Sequence, residues 1–402
     1  MNNTVSLKDL CIVNTGFENH FVGIKSENDK IQVFFPLGFN LSNDDISIRK
    51  DILLLISILK ESNNKLITDS FNIVHESKNQ FPIDSYIYII KDFISRGIYK
   101  EKIINHRKNN SGKINWSKTI SQLEPFISNN KPYYLNFIVK ENNIHEDNIL
   151  SHIHKYFVYE SFNKLGWLFS EYTPPKTELK LSLEFIKKFL NHKIHSTNID
   201  KDKFLFISIL NIIAYISKSS DCSKLQFGTN NFEYVWEFLI DKTFGIKNKN
   251  IFFPKTYWII NSKQYNNSSL EPDTIMHYDN IFYILDAKYY KYGITNNIKD
   301  LPSSSSVHKQ ITYGEYVAEN PFFKDKYGQN LKVFNAFILP FNGNNKYIIK
   351  YIGTAISNWK SNNKTYEKVP SFLIDTKYLM QISKMSTTNI IKLLATEIQN
   401  SI

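Results

Sequence analysis

A short apolar run that ends abruptly in charge is the clearest pattern of hydrophobic and polar positions in this chain. Residues 281–285 read Ile-Phe-Tyr-Ile-Leu, and Asp286, Ala287 and Lys288 follow directly. An unbroken β-branched and aromatic run of this length predicts a strand inside a sheet. Because side chains alternate along a strand, we expect Asp286 and Lys288 on one face and Ala287 on the other.

A second strand is predicted immediately upstream. It runs from Asp273 to Met276, and the polar segment 277–280 would turn the chain back as a hairpin. Such a hairpin would place Asp273 near Asp286. Carboxylate oxygens on adjacent strands are hard ligands of the kind that Mg²⁺ prefers. The alternative is an ordinary hairpin with a surface salt bridge between Asp286 and Lys288.

Hydrophobic periodicity predicts further elements around this pair of strands. Apolar residues at helical spacing over 232–240 indicate a helix that ends at Gly245. After the strand pair, a serine-rich loop at 302–306 precedes a predicted helix over 308–317. The remaining predictions are strands over 256–261, 333–340 and 346–352, and a terminal pair of helices over 375–398.

Residues 1–105 are expected to form a separate N-terminal α+β domain. Two short strands, 21–24 and 31–35, flank a polar turn and predict a hairpin. A helix is predicted after Asp44-Asp45, because acidic residues favour the start of a helix. A second helix is predicted over 85–97. The pattern fits a docking or structural domain, and it also fits a winged DNA-binding module.

Residues 106–225 are expected to form a middle region that contacts a partner, and residues 226–402 a third domain. The middle region opens with a basic segment, 106–120, that suits either a solvated loop or a contact with phosphate or protein. Its other predicted elements are a strand over 133–139 and helices over 144–169, 181–190 and 200–217.

Composition indicates a folded protein with an anionic partner. The 402 residues are 42% hydrophobic, which is enough for one or two substantial cores. The formal net charge of +11 favours a partner such as DNA. The abundance of Asn, Lys, Ile and Tyr is typical of an AT-rich genome, so the charge counts as supporting evidence only.

Cysteine content and the longest apolar stretch indicate the cellular setting. Cys11 and Cys222 lie far apart without metal-ligand spacing, which suits a reducing compartment, and we expect both to be buried apolar residues. The first ten residues are polar, and the apolar stretch 204–216 is too short to cross a bilayer. We therefore expect a soluble cytoplasmic protein with no membrane partner.

The chain contains no nucleotide-binding P-loop. Gly112-Lys113 does not form one, because Arg107 replaces the upstream glycine and Ile114 stands where Ser or Thr should follow. The chain is therefore not expected to hydrolyse nucleotides itself. The histidines of the predicted 144–169 helix also lack the spacing of zinc sites, so ordinary helical positions are expected for them.

The strings Pro272-Asp273 and Asp286-Ala287-Lys288, each at a predicted strand, resemble the PD-(D/E)xK nuclease superfamily. The predicted order of helix, three strands, helix and strand is also similar to that superfamily. The resemblance implies a C-terminal nuclease core with a mixed central sheet flanked by helices, in a multidomain α+β or α/β protein.

The same resemblance implies a role for each residue of the strand pair. Asp273, Asp286 and the backbone carbonyl of Ala287 would hold Mg²⁺, for which Mn²⁺ is expected to substitute, and the ion would lower the pKa of a bound water. Lys288 would orient that water and offset charge in the transition state.

Helix residues are expected to complete the site. Glu237 is the preferred additional carboxylate at the metal, and Glu233, one turn away on the same face, is the alternative. Gln310 and Tyr313 also lie one turn apart and resemble the Gln-containing motif of the superfamily. They would steady the nucleophile or the DNA backbone, while ordinary surface polarity is the other interpretation.

A closer resemblance is carried by five segments between about residues 105 and 340. They are Gly112-Lys113-Ile114-Asn115-Trp116 with Thr119-Ile120, Val235-Trp236-Glu237, Pro272-Asp273, Leu285-Asp286-Ala287-Lys288-Tyr289-Tyr290, and Lys309-Gln310 with Tyr313. Together they resemble the LlaJI family of restriction endonucleases, which is similar to McrC, the nuclease subunit of McrBC-type restriction systems. The first hundred residues match less distinctively.

This resemblance implies a Mg²⁺-dependent endonuclease that cuts double-stranded DNA in a bacterial restriction, or phage-defence, system. It implies an AAA+ GTPase partner of the McrB type, which agrees with the absent P-loop, and a DNA methyltransferase in the same system. Cutting both strands needs two active sites, so a dimer or a pair of complexes is expected. The alternatives are a stand-alone type II restriction endonuclease, a catalytically silent DNA-binding or structural subunit, and a repair-type nuclease.

Overall fold

The computed structural model describes residues 6–16, 20–27, 30–69, 81–145, 148–218 and 225–402. Within them the chain forms two compact units. The split unit combines Met1–His75 with Lys224–Ile402, and the inserted unit is Glu76–Ser223. None of the helices in the described ranges is long and apolar enough to span a membrane.

Strands of the described ranges are distributed over both units. In chain order they are β1 (Cys11–Val13), β2 (Val22–Glu27), β3 (Lys30–Phe35), β4 (Glu101–Asn109), β5 (Lys113–Ile114), β6 (Phe126–Ser128), β7 (Lys131–Tyr133), β8 (Phe137–His145), β9 (Gln226–Thr229), β10 (Tyr257–Ile260), β11 (Lys263–Asn266), β12 (Thr274–Tyr278), β13 (Ile281–Ala287), β14 (Lys332–Phe341), β15 (Ile349–Ala355) and β16 (Val369–Asp375).

The α-helices are likewise found in both units. They are α1 (Asp45–Asp69), α2 (Ile83–Arg96), α3 (Trp116–Gln122), α4 (Ile149–Leu165), α5 (Leu183–Ser196), α6 (Asp200–Lys218), α7 (Phe232–Phe244), α8 (Tyr292–Thr295), α9 (Ser304–Glu319), α10 (Pro321–Tyr327), α11 (Thr376–Ile382) and α12 (Thr388–Asn400). The last two confirm the predicted terminal helix pair.

The central sheet of the split unit is mixed, with the strand order β12-β13-β14-β16-β15. β13, β14 and β16 run parallel, whereas β12 and β15 pair antiparallel at the two edges. All of β16, and all of β14 after its first residue, are buried. Continuous burial of this kind is typical of parallel strands that are covered on both faces.

Helices cover both faces of this sheet. Phe282 and Ile284 of β13 lie in one cluster with Tyr313 and Val317 of α9. Tyr283 points to the opposite face, since side chains alternate, and there its hydroxyl accepts a hydrogen bond of 2.5 Å from Gln399 in α12. The predicted mixed central sheet flanked by helices is therefore confirmed.

One strand prediction around this sheet is wrong, and one strand of the sheet was not predicted. The predicted strand over 256–261 is not in the central sheet: it corresponds to β10, which pairs with β11 as a separate, fully exposed hairpin. Conversely, β16 was not predicted, because Pro370 and Ser371 interrupt its apolar run. The structure places β16 between β14 and β15, so partners distant in sequence stabilise it.

The N-terminal segment belongs to the same unit as the C-terminal half. β2 pairs antiparallel with β3, which confirms the predicted hairpin, and β1 pairs parallel with β3. On its other side β2 pairs with β9, which follows the inserted unit in sequence. The unit boundaries therefore differ from the predicted division at residues 105 and 225.

The inserted unit contains the three-stranded sheet β4-β8-β5, the β6–β7 hairpin and helices α2 to α6. α2, which was predicted within the N-terminal domain, packs on α4 and α6. The helix predicted from residue 144 begins at Ile149, because β8 extends to His145. In α4, burial lowers the pKa of His154 to about 3, and the ring accepts a hydrogen bond from the Tyr99 N–H, so His154 is a structural residue.

Candidate active site

The β12–β13 hairpin brings the two predicted aspartates together. Asp279 and Asn280 form its two-residue turn, with left-handed φ angles of 52° and 58°. Short polar residues are favoured in such turns because they tolerate this conformation. The register pairs Thr274 with Leu285, so Asp273 comes to lie opposite Asp286 at the end of the strand pair.

Hydrogen bonds hold these charged groups in place. Asp273 Oδ2 accepts a bond of 2.9 Å from the Ala287 N–H. Lys288 Nζ lies 2.9 Å from the Asp286 carboxylate, and the Lys288 N–H donates to the Ile338 carbonyl of β14 at 2.9 Å. The side chains of Asp286 and Lys288 are only 13% and 21% exposed, so their ion pair is not the surface salt bridge of the alternative interpretation.

The electrostatics of the site are dominated by crowded carboxylates. Burial, followed by the neighbouring carboxyl of Asp286 and the charge of Glu237, raises the pKa of Asp273 well above its ordinary range. Burial opposes the charged form of Lys288, but the Asp286 carboxylate outweighs it and raises the pKa of Lys288. The lysine is therefore a fixed cation, while Asp273 retains its proton more readily than an exposed aspartate.

The two helix carboxylates occupy different environments. Burial raises the pKa of Glu237, and the charges of Lys288 and Asp286 act on its carboxyl as well. Glu233 is exposed and lines a cavity of about 590 Å³, whose wall also includes Phe232 and Tyr290. In the described part of the chain no group of three or more His, Cys, Asp or Glu side chains is arranged to hold a metal ion. The structure thus brings the two aspartates together, and the choice of Glu237 as a further carboxylate stays a prediction.

Gln310 and Tyr313 lie inside the protein. Gln310 is 1% exposed, and its amide donates a 2.5 Å hydrogen bond to the Ile284 carbonyl in β13. The Tyr313 hydroxyl donates to the Glu271 carbonyl at 3.3 Å, and this residue is 3% exposed. Surface polarity is therefore the wrong interpretation of both. They brace β13 and the segment before Asp273, and the Gln310 amide faces the sheet backbone rather than a nucleophile or DNA.

Two lysines near the site were given no role in the sequence analysis, although Lys309 lies in one of the segments that resemble the LlaJI family. Burial opposes the charged form of Lys309, but its hydrogen bond with Tyr313 and the charges of Asp273 and Asp286 raise the pKa of Lys309. Lys249 lies 2.9 Å from an Asp241 oxygen and also donates to the backbone carbonyl of Asp273. Lys309 adjoins Gln310 in the sequence, which is a usable signal, whereas nothing in the sequence marks Lys249.

Cys11 does not have the environment of a reactive thiol. Cys11 is half-buried, and burial raises the pKa of its thiol to about 12, so the nucleophilic thiolate is strongly disfavoured. The same prediction for Cys222 lies outside the described residues.

Comparison with known proteins identifies one family by its sequence model. The sequence model of the LlaJI restriction endonuclease matches residues 21–359. The chain is also similar to the protein named "Type II restriction enzyme BsuMI component YdjA" of Bacillus subtilis strain 168. The two are 26% identical over 349 residues, which cover 80% of this chain and 72% of that protein.

Two solved structures show weaker similarity. One is described as a refined half-complex from a tetradecameric assembly of Thermococcus gammatolerans McrB AAA+ hexamers with bound McrC; the match has a TM-score of 0.38 and 17% identity, and covers 92% of this chain and 83% of that chain. The other is a cryo-EM structure of the Thermococcus gammatolerans McrBC complex, with a TM-score of 0.22, 17% identity, and coverage of 55% and 64%.

Proposed function

This chain belongs to the LlaJI restriction endonuclease family, and from that premise we propose that it is the DNA-cutting chain of a restriction system. It hydrolyses phosphodiester bonds of double-stranded DNA at the cluster of Asp273, Asp286 and Lys288. The observation that carries the proposal is the crowded carboxylate pair beside one fixed lysine, at the end of a buried strand. Burial of such charges is costly unless a cation and an anionic substrate bind there.

We propose Mg²⁺ as the cofactor, with Mn²⁺ able to replace it. The donor chemistry fits, because Asp273 and Asp286 present hard oxygens in one place, and their mutual repulsion contributes to the raised pKa of Asp273. Asp273, Asp286 and the backbone carbonyl of Ala287 would hold the ion, with Glu237 as the further carboxylate. A bound divalent ion polarises the phosphate and lowers the pKa of a coordinated water.

The lysines supply positive charge to the reaction. The raised pKa of Lys288 keeps its ammonium protonated at neutral pH, and Asp286 fixes its position. A fixed cation beside the scissile phosphate stabilises the negative charge that develops on the phosphate oxygens. Lys309, whose pKa is also raised, adds a second cation within reach of the same charges. Gln310 and Tyr313 act as positioning residues that hold β13 and residue 271 in register.

We also propose that the chain works with an AAA+ GTPase subunit. The sequence contains no P-loop, and the curated relative is named as one component of a restriction enzyme, so both suit a division of labour. The inserted unit offers a surface for the partner, because three apolar residues of the β6–β7 hairpin are exposed: Phe126 by 59%, Ile127 by 60% and Tyr133 by 48%. Exposed apolar surfaces of this kind mark protein contacts.

The test is cleavage of methylated and unmethylated plasmid, both supercoiled and linear, with Mg²⁺, with and without GTP and the protein encoded next to this chain. Lys288→Ala is expected to abolish cutting while DNA binding remains. Lys350→Ala is the matched control, since Lys350 is exposed on β15 at the edge of the central sheet farthest from β12. Its cutting should equal that of the unmodified chain.

Each outcome assigns a different function. Cutting that needs the partner and GTP supports a restriction system that depends on an AAA+ GTPase. Cutting by the chain alone supports a stand-alone type II enzyme and contradicts the proposal of an AAA+ GTPase partner. Retained cutting by Lys288→Ala removes the site assignment. DNA binding without cutting under every condition indicates a catalytically silent subunit, and attack on linear ends alone indicates a repair-type nuclease.

A further inference from the structure

The β10–β11 hairpin presents large apolar side chains on both of its faces. The residues Tyr257, Trp258, Ile259 and Ile260 are between 52% and 69% exposed. Tyr265, which pairs with Trp258 across the hairpin, is 51% exposed. Because side chains alternate along a strand, these residues divide between the two faces. A hairpin that lies against the body of a protein buries one face, whereas this one buries neither.

A ribbon that is apolar on both faces needs a partner that encloses it. Exposed apolar patches rimmed by polar residues mark binding surfaces. A flat protein surface covers one face of a ribbon, whereas the two walls of a groove cover both. The major groove of B-DNA, about 12 Å wide, admits a two-stranded β-ribbon, and side chains there contact base edges and thymine methyl groups.

The charge of this segment suits the same partner. Residues 242–270 contain five lysines and no aspartate or glutamate. Lys242 and Lys249 are paired with acidic side chains of the protein, while Lys255 and Lys263 are exposed at the hairpin. An apolar ribbon flanked by exposed lysines is complementary to a groove bordered by phosphates.

The hairpin leaves the fold next to the candidate active site. Its base is closed by hydrogen bonds of 2.9 Å from the Leu270 N–H to the Pro254 carbonyl and from the Asn267 N–H to the Thr256 carbonyl. Asp273 follows three residues after Leu270. A strand of four residues spans about 13 Å, so a hairpin anchored here reaches DNA that lies against the site.

We infer that the β10–β11 hairpin inserts into a groove of duplex DNA beside the phosphodiester bond that the chain cuts. Trp258 and Ile259 pack against base edges, and Lys255 and Lys263 contact the flanking phosphates. The inference rests on the proposed nuclease function and deepens it, because the hairpin positions the DNA and takes no part in breaking the bond.

The test measures binding of a fluorescein-labelled duplex by fluorescence anisotropy at several salt concentrations. Every protein is the full chain carrying Lys288→Ala, so that the DNA stays intact. Trp258→Ala combined with Ile259→Ala is expected to weaken binding about tenfold or more, with an unchanged salt dependence, because only apolar contacts are removed. Lys255→Ala combined with Lys263→Ala is expected to lower the slope of log affinity against log salt by about two, at about 0.9 for each lost phosphate contact.

Tyr351→Ala is the matched control for the apolar variant. Tyr351 is 42% exposed and lies on β15, at the opposite edge of the central sheet from β12. Its replacement is expected to change neither the affinity nor the salt slope. Circular dichroism and thermal melting of all variants verify that folding is retained, as expected for substitutions on a fully exposed hairpin.

Several results would overturn the inference. One is unchanged affinity in the Trp258→Ala and Ile259→Ala chain, and another is no measurable DNA binding by the Lys288→Ala parent at low salt. A third is a dimer of the parent chain, detected by sedimentation, that dissociates when Trp258 and Ile259 are replaced while the DNA affinity is unchanged. The hairpin would then be a contact between two copies of the chain. Failure of the nuclease proposal looks different: the unmodified chain then does not cut, although the hairpin variants still lose DNA binding.

Discussion

The titration of Asp273 should reveal its place beside Asp286. Its pKa is raised in the folded chain, chiefly by burial, whereas an aspartate in the unfolded chain has a pKa of about 3.9. Between that pH and the raised pKa, the unfolded state gives up its proton first, so stability is greatest at the acidic end and falls as pH rises. The metal-free chain is expected to melt at progressively lower temperature over this range, and Asp273→Asn should reduce the fall.

Calorimetry of both chains in EDTA and in Mg²⁺ checks this expectation. Mg²⁺ should restore the stability of the unmodified chain at neutral pH and have little effect on Asp273→Asn. Asp279→Asn, an exposed substitution in the turn of the same hairpin, is the control and should follow the unmodified chain. Parallel curves of melting temperature against pH for the unmodified and Asp273→Asn chains would contradict the assignment.

Lys309 gives a second prediction for a single side chain. Its ammonium feels the charges of Asp273 and Asp286, so Lys309→Ala is expected to slow single-turnover cleavage about tenfold or more, with little change in DNA affinity. Lys309→Arg keeps the charge and should retain more of the rate. Lys332→Ala, at an exposed residue that begins β14, is the control. Equal cleavage rates in Lys309→Ala and Lys332→Ala would exclude a role for Lys309 in the reaction.

The place of a single residue in the site was predictable where a local sequence pattern alone determines which way its side chain points. Asp286 and Lys288 follow from strand alternation, and Asp273 from a hairpin of a few residues. Gln310 was identified, but its surroundings were not, because its partner is the Ile284 carbonyl 26 residues away. Lys249 was missed for the same reason, since a short 3-10 helix, Lys249–Phe252, packs against the Asp273 backbone and brings this lysine to the site.

At the scale of whole elements, a pair of glycines in the β2–β9 strand pairing gives a prediction about stability. Gly23 and Gly228 face each other across these strands, and a Cβ on Gly23 would lie 2.2 Å from the Phe227 carbonyl oxygen, at a φ of +144°. Gly23→Ala is therefore expected to destabilise the chain by about 1–3 kcal/mol from backbone strain, with the steric clash in addition. Urea unfolding measures the loss.

Gly353→Ala separates strain from clash in that experiment. Gly353 has a nearly identical φ of +146°, but a Cβ there meets nothing within 4 Å. Its replacement should therefore cost less than that of Gly23. Equal losses in the two variants would mean that the close approach of β2 and β9 contributes nothing to stability.

Among whole elements, the sheet to which a strand belongs could be predicted only where its partner is adjacent in sequence. The β12–β13 hairpin was predictable because its partners are joined by two turn residues. The apolar run of β10 equally predicts a strand, but no local pattern indicates that its partner is β11 rather than the central sheet. β16 shows the converse, as a central position between β14 and β15 stabilises a sequence with Pro370 and Ser371 in it.

At the scale of the whole molecule, contacts between residues distant in sequence hold the two parts of the split unit together. β9 hydrogen-bonds to β2 across the sequence of the inserted unit, and the Thr376 hydroxyl donates to the Leu37 carbonyl at 2.8 Å. Contacts over such separations leave no periodicity in the sequence. Three consecutive domains were therefore expected where the chain has one interrupted unit and one insertion.

This arrangement predicts that the two proposed functions, partner contact and DNA cutting, can be separated by substitution. Phe126→Asp combined with Ile127→Asp alters the exposed β6–β7 hairpin of the inserted unit and leaves the carboxylates of the split unit untouched. Charged residues at an apolar contact oppose docking, so cutting with the partner and GTP is expected to fall about tenfold or more. Stabilisation of the chain by Mg²⁺ should remain unchanged.

Phe185→Asp serves as the matched control, because Phe185 is 45% exposed on α5 of the same unit. Its partner-dependent cutting should equal that of the unmodified chain. Lys288→Ala should show the opposite pattern to the hairpin variant, with normal partner binding in sedimentation and no cutting. If the hairpin variant binds the partner normally, the β6–β7 hairpin is not its docking surface. If both variants lose partner binding equally, docking involves the split unit as well, and the two functions are not divided between the units.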